Sequence, residues 1–506
     1  MMRDARPLAS LWPWLGLGAV LLIAGALAQL LLGAAGESAT PAVAAVAVLA
    51  GLVCLALFGS LRRFLIFLLF FTTALDMSKA VVAPEPPFFS PGLYLTVAQA
   101  VLLVWALLWL FDHAVRQRRR LPLSGLDALA LLFLAVVWLQ ALRSPAGGIA
   151  LAGALAYSLG VLGYYVVSHA LVSLADVRLA LKGVVAVFVL QAVFVALQMA
   201  AHAPIVLPGI KVAGGDMMLA LGDAAAFRPI GLFNHPNVMA DYVLWLLLPA
   251  LALVLMGRRR IAAGVWWLAL AVLGVGGAML LLSMSRGGWA AFVLGALVLG
   301  KVYWRCRLIG RRHLLAAAGL LAAALMAVAL VYPQVFLRLT EPDSRSTESR
   351  VLLAEQALNI IRAEPLLGVG FGAYNRAAHD HIPSAWADVS ADYQTALLQL
   401  VVHNQYLLTA AELGLPALLL WLLLLLGMAG QAWPLSQWQQ PGLFALGTGL
   451  GAALIAHMLY LASDNYYVDI RIFQLWLAAG LLQALRLQAR QVEPAVLVRA
   501  PGARRL

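Results

Sequence analysis

Apolar segments of roughly 16 to 25 residues, long enough to cross about 30 Å of hydrocarbon as helices, recur along the chain with short polar connections between them. The pattern predicts about fourteen spans. They are Leu11–Leu32, Pro41–Gly59, Phe64–Leu75, Leu93–Phe111, Leu126–Leu142, Ile149–Val172, Leu179–Ala201, Val238–Met256, Ile261–Ser283, Trp289–Tyr303, Leu314–Tyr332, Gln405–Gly430, Leu443–Ala462 and Ile470–Leu485. The third and tenth are short, so the expectation is an all-α polytopic membrane protein with about 12–14 transmembrane helices in one bundle. Arg3 and Arg6 ahead of the first run resemble a signal peptide, but the run is too long for one and reads as a retained span.

Between Pro333 and Val402 the apolar register is lost for roughly seventy residues, a loop length that usually marks function or disorder. Four regions follow. Residues 1–332 carry the first eleven spans, with outer-face loops at 76–92 and 201–237; 333–402 form the large loop; 403–487 hold the last three spans; 488–506 are a basic tail. Inside the loop, Val351, Leu352, Ala354, Leu358 and Ile361 recur at helical spacing up to Pro365, which predicts an amphipathic helix lying on the membrane surface. A second short helix is expected around Ser390–Val402.

Composition agrees with the pattern. Of 506 residues, 64% are hydrophobic and only 11% charged, with a mean hydropathy of +0.93. Soluble proteins carry about a quarter charged residues. The two cysteines, Cys54 and Cys306, lie in or beside apolar runs, so neither a disulfide framework nor a thiolate metal cluster is indicated. A net charge of +12 in a soluble chain would suggest nucleic acid, but here its distribution matters more. Alternating the spans from a cytoplasmic N-terminus gathers Arg62–Arg63, Arg116–Arg120, Arg258–Arg260, Lys301–Arg312 and the C-terminal arginines on one face, about 23 basic residues against about 5 acidic ones. That face is expected to be cytoplasmic, and basic residues on the other face need accounts of their own.

Several outer-face residues could carry chemistry. Arg228, in AAFRPIGLFNHPN, stands on a constrained backbone beside the membrane, where a guanidinium can hold phosphate oxygens bidentately or can snorkel to lipid headgroups. His235 and Asn237 flank Pro236 at a helix start; Asn237 reads as the cap, and His235 as a hydrogen-bonding core histidine or a ligand contact. Arg286, in SMSRGGW, sits in a turn between two spans with glycines that permit close approach, and an arginine so near hydrocarbon is costly unless it meets an anion. His403 and Asn404 stand where the large loop re-enters the membrane, and histidine is the side chain suited to take a proton near neutral pH. A lone histidine is also commonly structural. PLLGVGFGAYN could cradle phosphate but lacks a Walker lysine, so packing is the plainer reading; His379-Asp380-His381 lacks a compact third or fourth ligand; no nucleophile elbow is present.

Taken together, RPIGLFNHPN, SRGGW, the SR…AL..I..EPLLGVGFGAYN segment and VHNQYLLTAAELGLPALLLW resemble the O-antigen ligase family, within the larger group of O-antigen ligases and polymerases. The similarity runs from about Ala225 to Leu426. It implies a GT-C-like, metal-independent, inverting glycosyltransferase of the bacterial inner membrane with a large periplasmic loop and no cofactor. The implied donor is O-antigen polysaccharide on undecaprenyl pyrophosphate and the acceptor a sugar hydroxyl of lipid A–core, with membrane lipids around it and no nucleic acid partner. In that frame His403 would activate the acceptor and Arg228 and Arg286 would meet the pyrophosphate. Lys79, Arg350, Asn404, Tyr406 and His235 would be further substrate contacts. An O-antigen polymerase or a protein O-oligosaccharyltransferase uses the same donor, and a polysaccharide or lipid transporter is a reading from another class. A transporter predicts ionisable groups near the bilayer midplane and paired broken helices.

Overall fold

The computed structural model of the protein describes residues 58–82, 93–207, 217–221, 224–312, 332–340, 344–434, 438–466 and 470–491. The predicted spans Leu11–Leu32, nearly all of Pro41–Gly59 and nearly all of Leu314–Tyr332 lie outside the described residues, as does the tail from 492. Among the described residues nine helices are long and apolar enough to cross a membrane. The protein is an all-α polytopic membrane protein.

The helices, in chain order, are α1 (Leu61–Thr72), α2 (Val97–Leu110, continued by a π-helical turn to Arg116), α3 (Gly125–Arg143), α4 (Gly148–Ala170), α5 (Leu174–Ala201), α6 (Pro236–Met256), α7 (Ala263–Leu282) and α8 (Arg286–Arg305). The large loop contributes α9 (Gln334–Thr340), α10 (Ser344–Ala363), α11 (Tyr374–Ala378) and α12 (Ala391–Leu398). The chain ends with α13 (Gln405–Leu413), α14 (Leu415–Gly430), α15 (Pro441–Tyr460) and α16 (Ile470–Gln491). Two antiparallel hairpins, β1 (Ser78–Val82) with β2 (Leu93–Thr96) and β3 (Met218–Leu221) with β4 (Ala224–Phe227), occupy connections that the apolar pattern left as loops. Leu93–Thr96, read from sequence as the start of a span, is therefore strand.

Polar residues start the helices where capping chemistry allows. Thr96, Ser124 and Ser173 each form a reciprocal capping box with Gln99, Asp127 and Asp176. Large apolar side chains such as Leu107, Leu139, Leu142 and Leu297 stay exposed on the periphery, as expected where the surrounding solvent is hydrocarbon. At the centre, α6 packs on α15 and α16 on α4. A Cβ at Gly449 would lie 2.5 Å from the Pro249 Cα, so the missing side chain lets α15 approach the backbone of α6.

The bundle has two ends. At one, Arg62 grips Asp176 with both terminal nitrogens, at 2.7 and 2.8 Å, and the Ala170 carbonyl at 2.9 Å, while His169 Nε2 lies 3.1 Å from Asp127. These contacts join the starts of α1, α3 and α5 to the end of α4. The large loop covers the other end. Arg143 donates to the Leu367 carbonyl, Arg376 to that of Pro145, and Ser144 to that of Phe371, which fastens the loop to the α3–α4 corner.

The loop has a core of its own, built from Leu352, Leu353, Ala357, Ile360, Tyr374, Trp386, Leu397, Val402, Leu408 and Ala411. The expected face of α10 holds only in part: Leu352 is buried and Ile361 packs against the loop core, but Leu353, Ala357 and Ile360 complete the inward face, whereas Val351 and Leu358 are exposed. The stripe was misread because helical spacing alone does not say which of two adjacent apolar rows finds a partner.

The predicted span Gln405–Gly430 is two helices broken at Gly414, whose φ of +88° a side chain would strain. The carbonyls freed by the break are satisfied by the glycine-rich segment of the loop: Val369 N–H donates to Ala411 O and Gly370 N–H to Glu412 O, while Leu415 N–H donates to Pro365 O. The glycines of PLLGVGFGAYN thus pack against a helix break.

Candidate active site

The site is built at the loop end from four chain segments. The first, residues 228–233, is irregular backbone beside α5, and two buried glutamines of α5 satisfy it. Gln198 Oε1 accepts from Ile230 N–H and Gly231 N–H at 3.0 and 2.9 Å, and its amide donates to Gly231 O; Gln191 Oε1 accepts from Leu232 N–H at 2.8 Å. Both glutamines are fully buried, seven residues apart on one helix face. They act as a strap that fixes where Arg228 begins.

Arg228 is itself buried. Its Nε donates to Ser283 O at 2.7 Å and a terminal nitrogen donates to Asn237 Oδ1 at 2.9 Å. The guanidinium therefore braces the α7–α8 turn against the start of α6. Asn237 is free to accept because it is not the cap: His235 holds that place, with Nδ1 accepting the Asn237 N–H at 3.0 Å. This reverses the sequence expectation for the pair.

The α7–α8 turn is the second segment. Met284 has a left-handed φ of +52°, and Ser285 caps α8 by accepting from Gly288 N–H. Arg286, half-buried, is the first residue of α8. From the large loop, Arg338 Nε reaches Met284 O at 3.5 Å, so two buried guanidiniums bind consecutive carbonyls of the turn that presents a third.

The third segment follows α15. Tyr460 donates its hydroxyl to Asn237 O at 3.0 Å and meets the Ser285 hydroxyl at 3.1 Å, tying α15 to both α6 and α8. A Cβ at Gly287 would lie 2.5 Å from Ser463 Oγ, so the first turn of α8 rests against the 461–466 turn. Below it, His457 stacks on Trp245 at 3.6 Å between ring centroids and lies 3.3 Å from the buried Asp241, to which Tyr466 also donates.

The fourth segment is the return of the loop at 402–406. His403 Nδ1 lies 3.5 Å from Asp464 Oδ1, and Arg471 donates to Asp464 Oδ2 at 2.8 Å and to Asn465 O at 2.7 Å. Gln405 N–H donates to Leu461 O, Tyr466 N–H donates to Gln405 Oε1, and Asn465 donates to Val402 O, so the 402–406 and 461–466 segments are laced together. Burial opposes charge on Asp464, but the Arg471 guanidinium and then His403 outweigh it and hold the carboxyl well below the usual carboxylate range. An ionised carboxylate only accepts, so the Nδ1 that faces it carries a proton, and in the neutral ring that tautomer puts the lone pair on Nε2. The side chain is 38% exposed, which leaves it accessible.

Three helices, α6, α8 and α13, start at this end, capped by His235, Ser285 and Asn404. Each start carries about half a positive charge from the helix dipole. Arg286 adds a half-buried cation at the start of α8, and the first turn of that helix rests on Ser463, next to the Asp464 that faces His403. The model of the O-antigen ligase family matches residues 268–422, spanning the Arg286 turn, the large loop and His403. The chain carries an O-antigen ligase domain. Members of that family are glycosyltransferase-like enzymes that handle lipid-linked polysaccharide, and this chain is similar to them over the matched residues. A comparison with curated proteins finds no match.

The remaining expected residues fall in different places. Asn404 is the α13 cap, accepting from Tyr406 and Leu407 N–H and donating to Ala462 O. Tyr406 donates to Met458 O at 2.6 Å. Both therefore shape the ground under His403. Arg350 is exposed on α10, and among the described residues no contact joins it to the Arg286 turn or His403. Lys79 stands on β1 opposite Leu95; its side chain lies outside the described residues. His379 and His381 bond back to Asn375 O and Ala377 O at the end of α11.

Sequence reasoning missed Asp464, Arg471, Tyr460 and the Asp241–His457–Tyr466 cluster. The available signal was the polar run SDNYYVDIR between two spans, with an arginine one residue inside the second. An ionisable pair at a membrane boundary calls for a partner.

Proposed function

We propose that the protein is an O-antigen ligase, which transfers O-antigen polysaccharide from undecaprenyl pyrophosphate to a sugar hydroxyl of lipid A–core on the periplasmic side of the inner membrane. The observation that carries this reading is the meeting of the His403–Asp464 pair with the Arg228–Arg286 turn at one end of the bundle. The opposite end carries Arg62, Arg258–Arg260, Arg486 and Arg490, which by the positive-inside rule makes it cytoplasmic.

In the reaction, His403 Nε2 takes the proton of the acceptor hydroxyl as its oxygen attacks the anomeric carbon of the donor sugar. The bond from that carbon to the pyrophosphate oxygen breaks, and the pyrophosphate leaves with the electron pair and with inversion at the carbon. General-base assistance of this kind contributes about 10²- to 10⁴-fold. Charge accumulates on the leaving group, so the cations at the α8 start do the larger part of the work. Arg286, half-buried on the first turn, makes the direct contact; Arg228 holds the turn that presents it. Asp464 keeps the imidazole in the competent tautomer and steadies the imidazolium. The donor is already activated, so the step requires no nucleotide.

Purified protein mixed with lipid-linked O-antigen and lipid A–core, without ATP, is expected to form lipopolysaccharide, and His403→Ala and Arg286→Ala to abolish it in protein that still elutes as a folded species. Near-normal ligation by both variants would sink the site assignment. A null strain separates ligase from polymerase: a ligase null has core without polymer, whereas a polymerase null has core with a single repeat.

A further inference from the structure

The break between α13 and α14 lies at membrane depth. Near the basic end α3 and α14 run side by side, since a Cβ added at Gly427 would lie 3.0 Å from Leu126 Cδ1. Fourteen residues further on, from 126 to 140 in α3 and from 427 back to 413, the Gln140 amide donates to Leu413 O at 3.5 Å. At about 1.5 Å of rise per residue the break is about 21 Å from Leu126. Leu126 is the first large apolar residue of α3, and a hydrocarbon layer about 30 Å thick that starts there still surrounds the break, within the leaflet at the active-site end. Backbone opened at that depth must be covered by protein. The corner of the large loop covers it, through Pro365 O, Val369 N–H and Gly370 N–H, and Arg143 ties the same corner to α3 by donating to Leu367 O at 3.1 Å.

This corner turns two leucines outward. Leu366 is 68% and Leu367 53% exposed, although their backbone is bonded to two apolar helices. The exposed residues of those helices at the same level are again leucines, Leu139 and Leu142 of α3 and Leu415 and Leu419 of α14. Since α3 is a membrane span, its outward leucines face acyl chains, and Leu366 and Leu367 continue that apolar surface onto the loop. Arg143, exposed at the end of α3, suits the headgroup boundary just beyond them. We propose that Leu366 and Leu367 insert among the acyl chains of this leaflet and anchor the large loop in the bilayer. The occupant of the leucine surface is bilayer lipid. Because the same corner covers the last carbonyls of α13, the anchor also steadies the helix that starts beside His403. The inference rests on α3 spanning the membrane and is independent of the reaction.

Spin labels on the full chain, reconstituted in phospholipid bilayers, test it. On a background of Cys54→Ser and Cys306→Ser, single labels are attached at Leu366→Cys and at Leu367→Cys. Leu139→Cys on α3 serves as the lipid-facing reference and Arg362→Cys, exposed on α10, as the water-facing one. All four positions are exposed, so the substitutions leave the packing intact. Relaxation of each label is measured with dissolved oxygen, which concentrates in hydrocarbon, and with a nickel chelate, which stays in water. Relative to Arg362→Cys, labels at the two leucine positions are expected to lose relaxation by the chelate and to gain relaxation by oxygen, as at Leu139→Cys. Chelate access equal to that at Arg362→Cys would put the corner in water and overturn the proposal. Shielding from both reagents would mean that protein, either another segment or a second copy of the chain, covers the leucines, and would overturn it equally.

Discussion

Asp464→Asn separates a positioning role from a merely structural one. In the parent, Oδ1 faces His403 Nδ1 at 3.5 Å and accepts the Asn465 N–H at 2.8 Å, while Oδ2 accepts from Arg471 at 2.8 Å. An asparagine has one acceptor oxygen for those two sides. If its NH₂ faces Arg471, donor meets donor at a buried cation; if it faces His403, it donates to Nδ1 and forces the proton onto Nε2, the atom that should receive one from the acceptor. Losing one partner of a buried pair costs about 3–5 kcal/mol in stability. The wrong tautomer costs about 10²- to 10⁴-fold in rate, or about 2.7–5.4 kcal/mol in the barrier. The two effects are read separately, by unfolding in detergent and by kcat of ligation normalised to folded protein.

The pH dependence adds a check. Asp464 titrates lower in the folded than in the unfolded chain, so its stabilisation is complete above the ordinary carboxylate pKa of about 3.9 and is lost as pH falls through the depressed folded value. The stability gap between parent and variant should narrow only in strong acid. A variant that loses stability yet keeps kcat within about threefold of the parent refutes the positioning role, because the general-base contribution it should remove is at least about a hundredfold.

Three further outcomes are expected. Arg228→Lys keeps the charge but cannot bond Ser283 O and Asn237 together; with each charge-assisted bond worth about 1.5–3 kcal/mol, a fall in unfolding temperature together with loss of ligation should appear, and parent-like behaviour in both would remove the bracing role. Gly414→Ala meets the Leu366 carbonyl at a positive φ and should lower stability by about 1–3 kcal/mol or more, with an unchanged melting curve counting against the helix break as described. Ligation by purified protein should persist in excess chelator; a rate that collapses and returns with added divalent cation would contradict metal-independent chemistry.

Much of the bundle was legible in the chain because hydrocarbon imposes one rule: a run of apolar residues long enough to span must satisfy its backbone internally, and a helix does so. Most observed spans fall within a few residues of the apolar runs. The misses share a cause. Leu93–Thr96 and Gly414 are apolar or neutral positions whose backbone groups are satisfied by a partner elsewhere in the chain, and periodicity does not report partners. Val351 and Leu358 look like the buried row of α10 until Tyr374 and Trp386 pack against the adjacent one.

At the candidate site the sequence by itself named cations and a histidine at the outer ends of spans, since charge next to hydrocarbon is expensive and demands a reason. It could not say that Arg228 is a buried brace and Arg286 the half-buried member, nor that His403 has a carboxylate behind it. Asp464 lies 61 residues further along the chain and meets His403 only because Gln405, Asn465 and Tyr466 lace two segments together. Residue type and distance from the membrane edge are local properties, fixed by composition and order. Which nitrogen of an imidazole is free to accept a proton depends on what stands opposite the other one, and only the tertiary packing decides that.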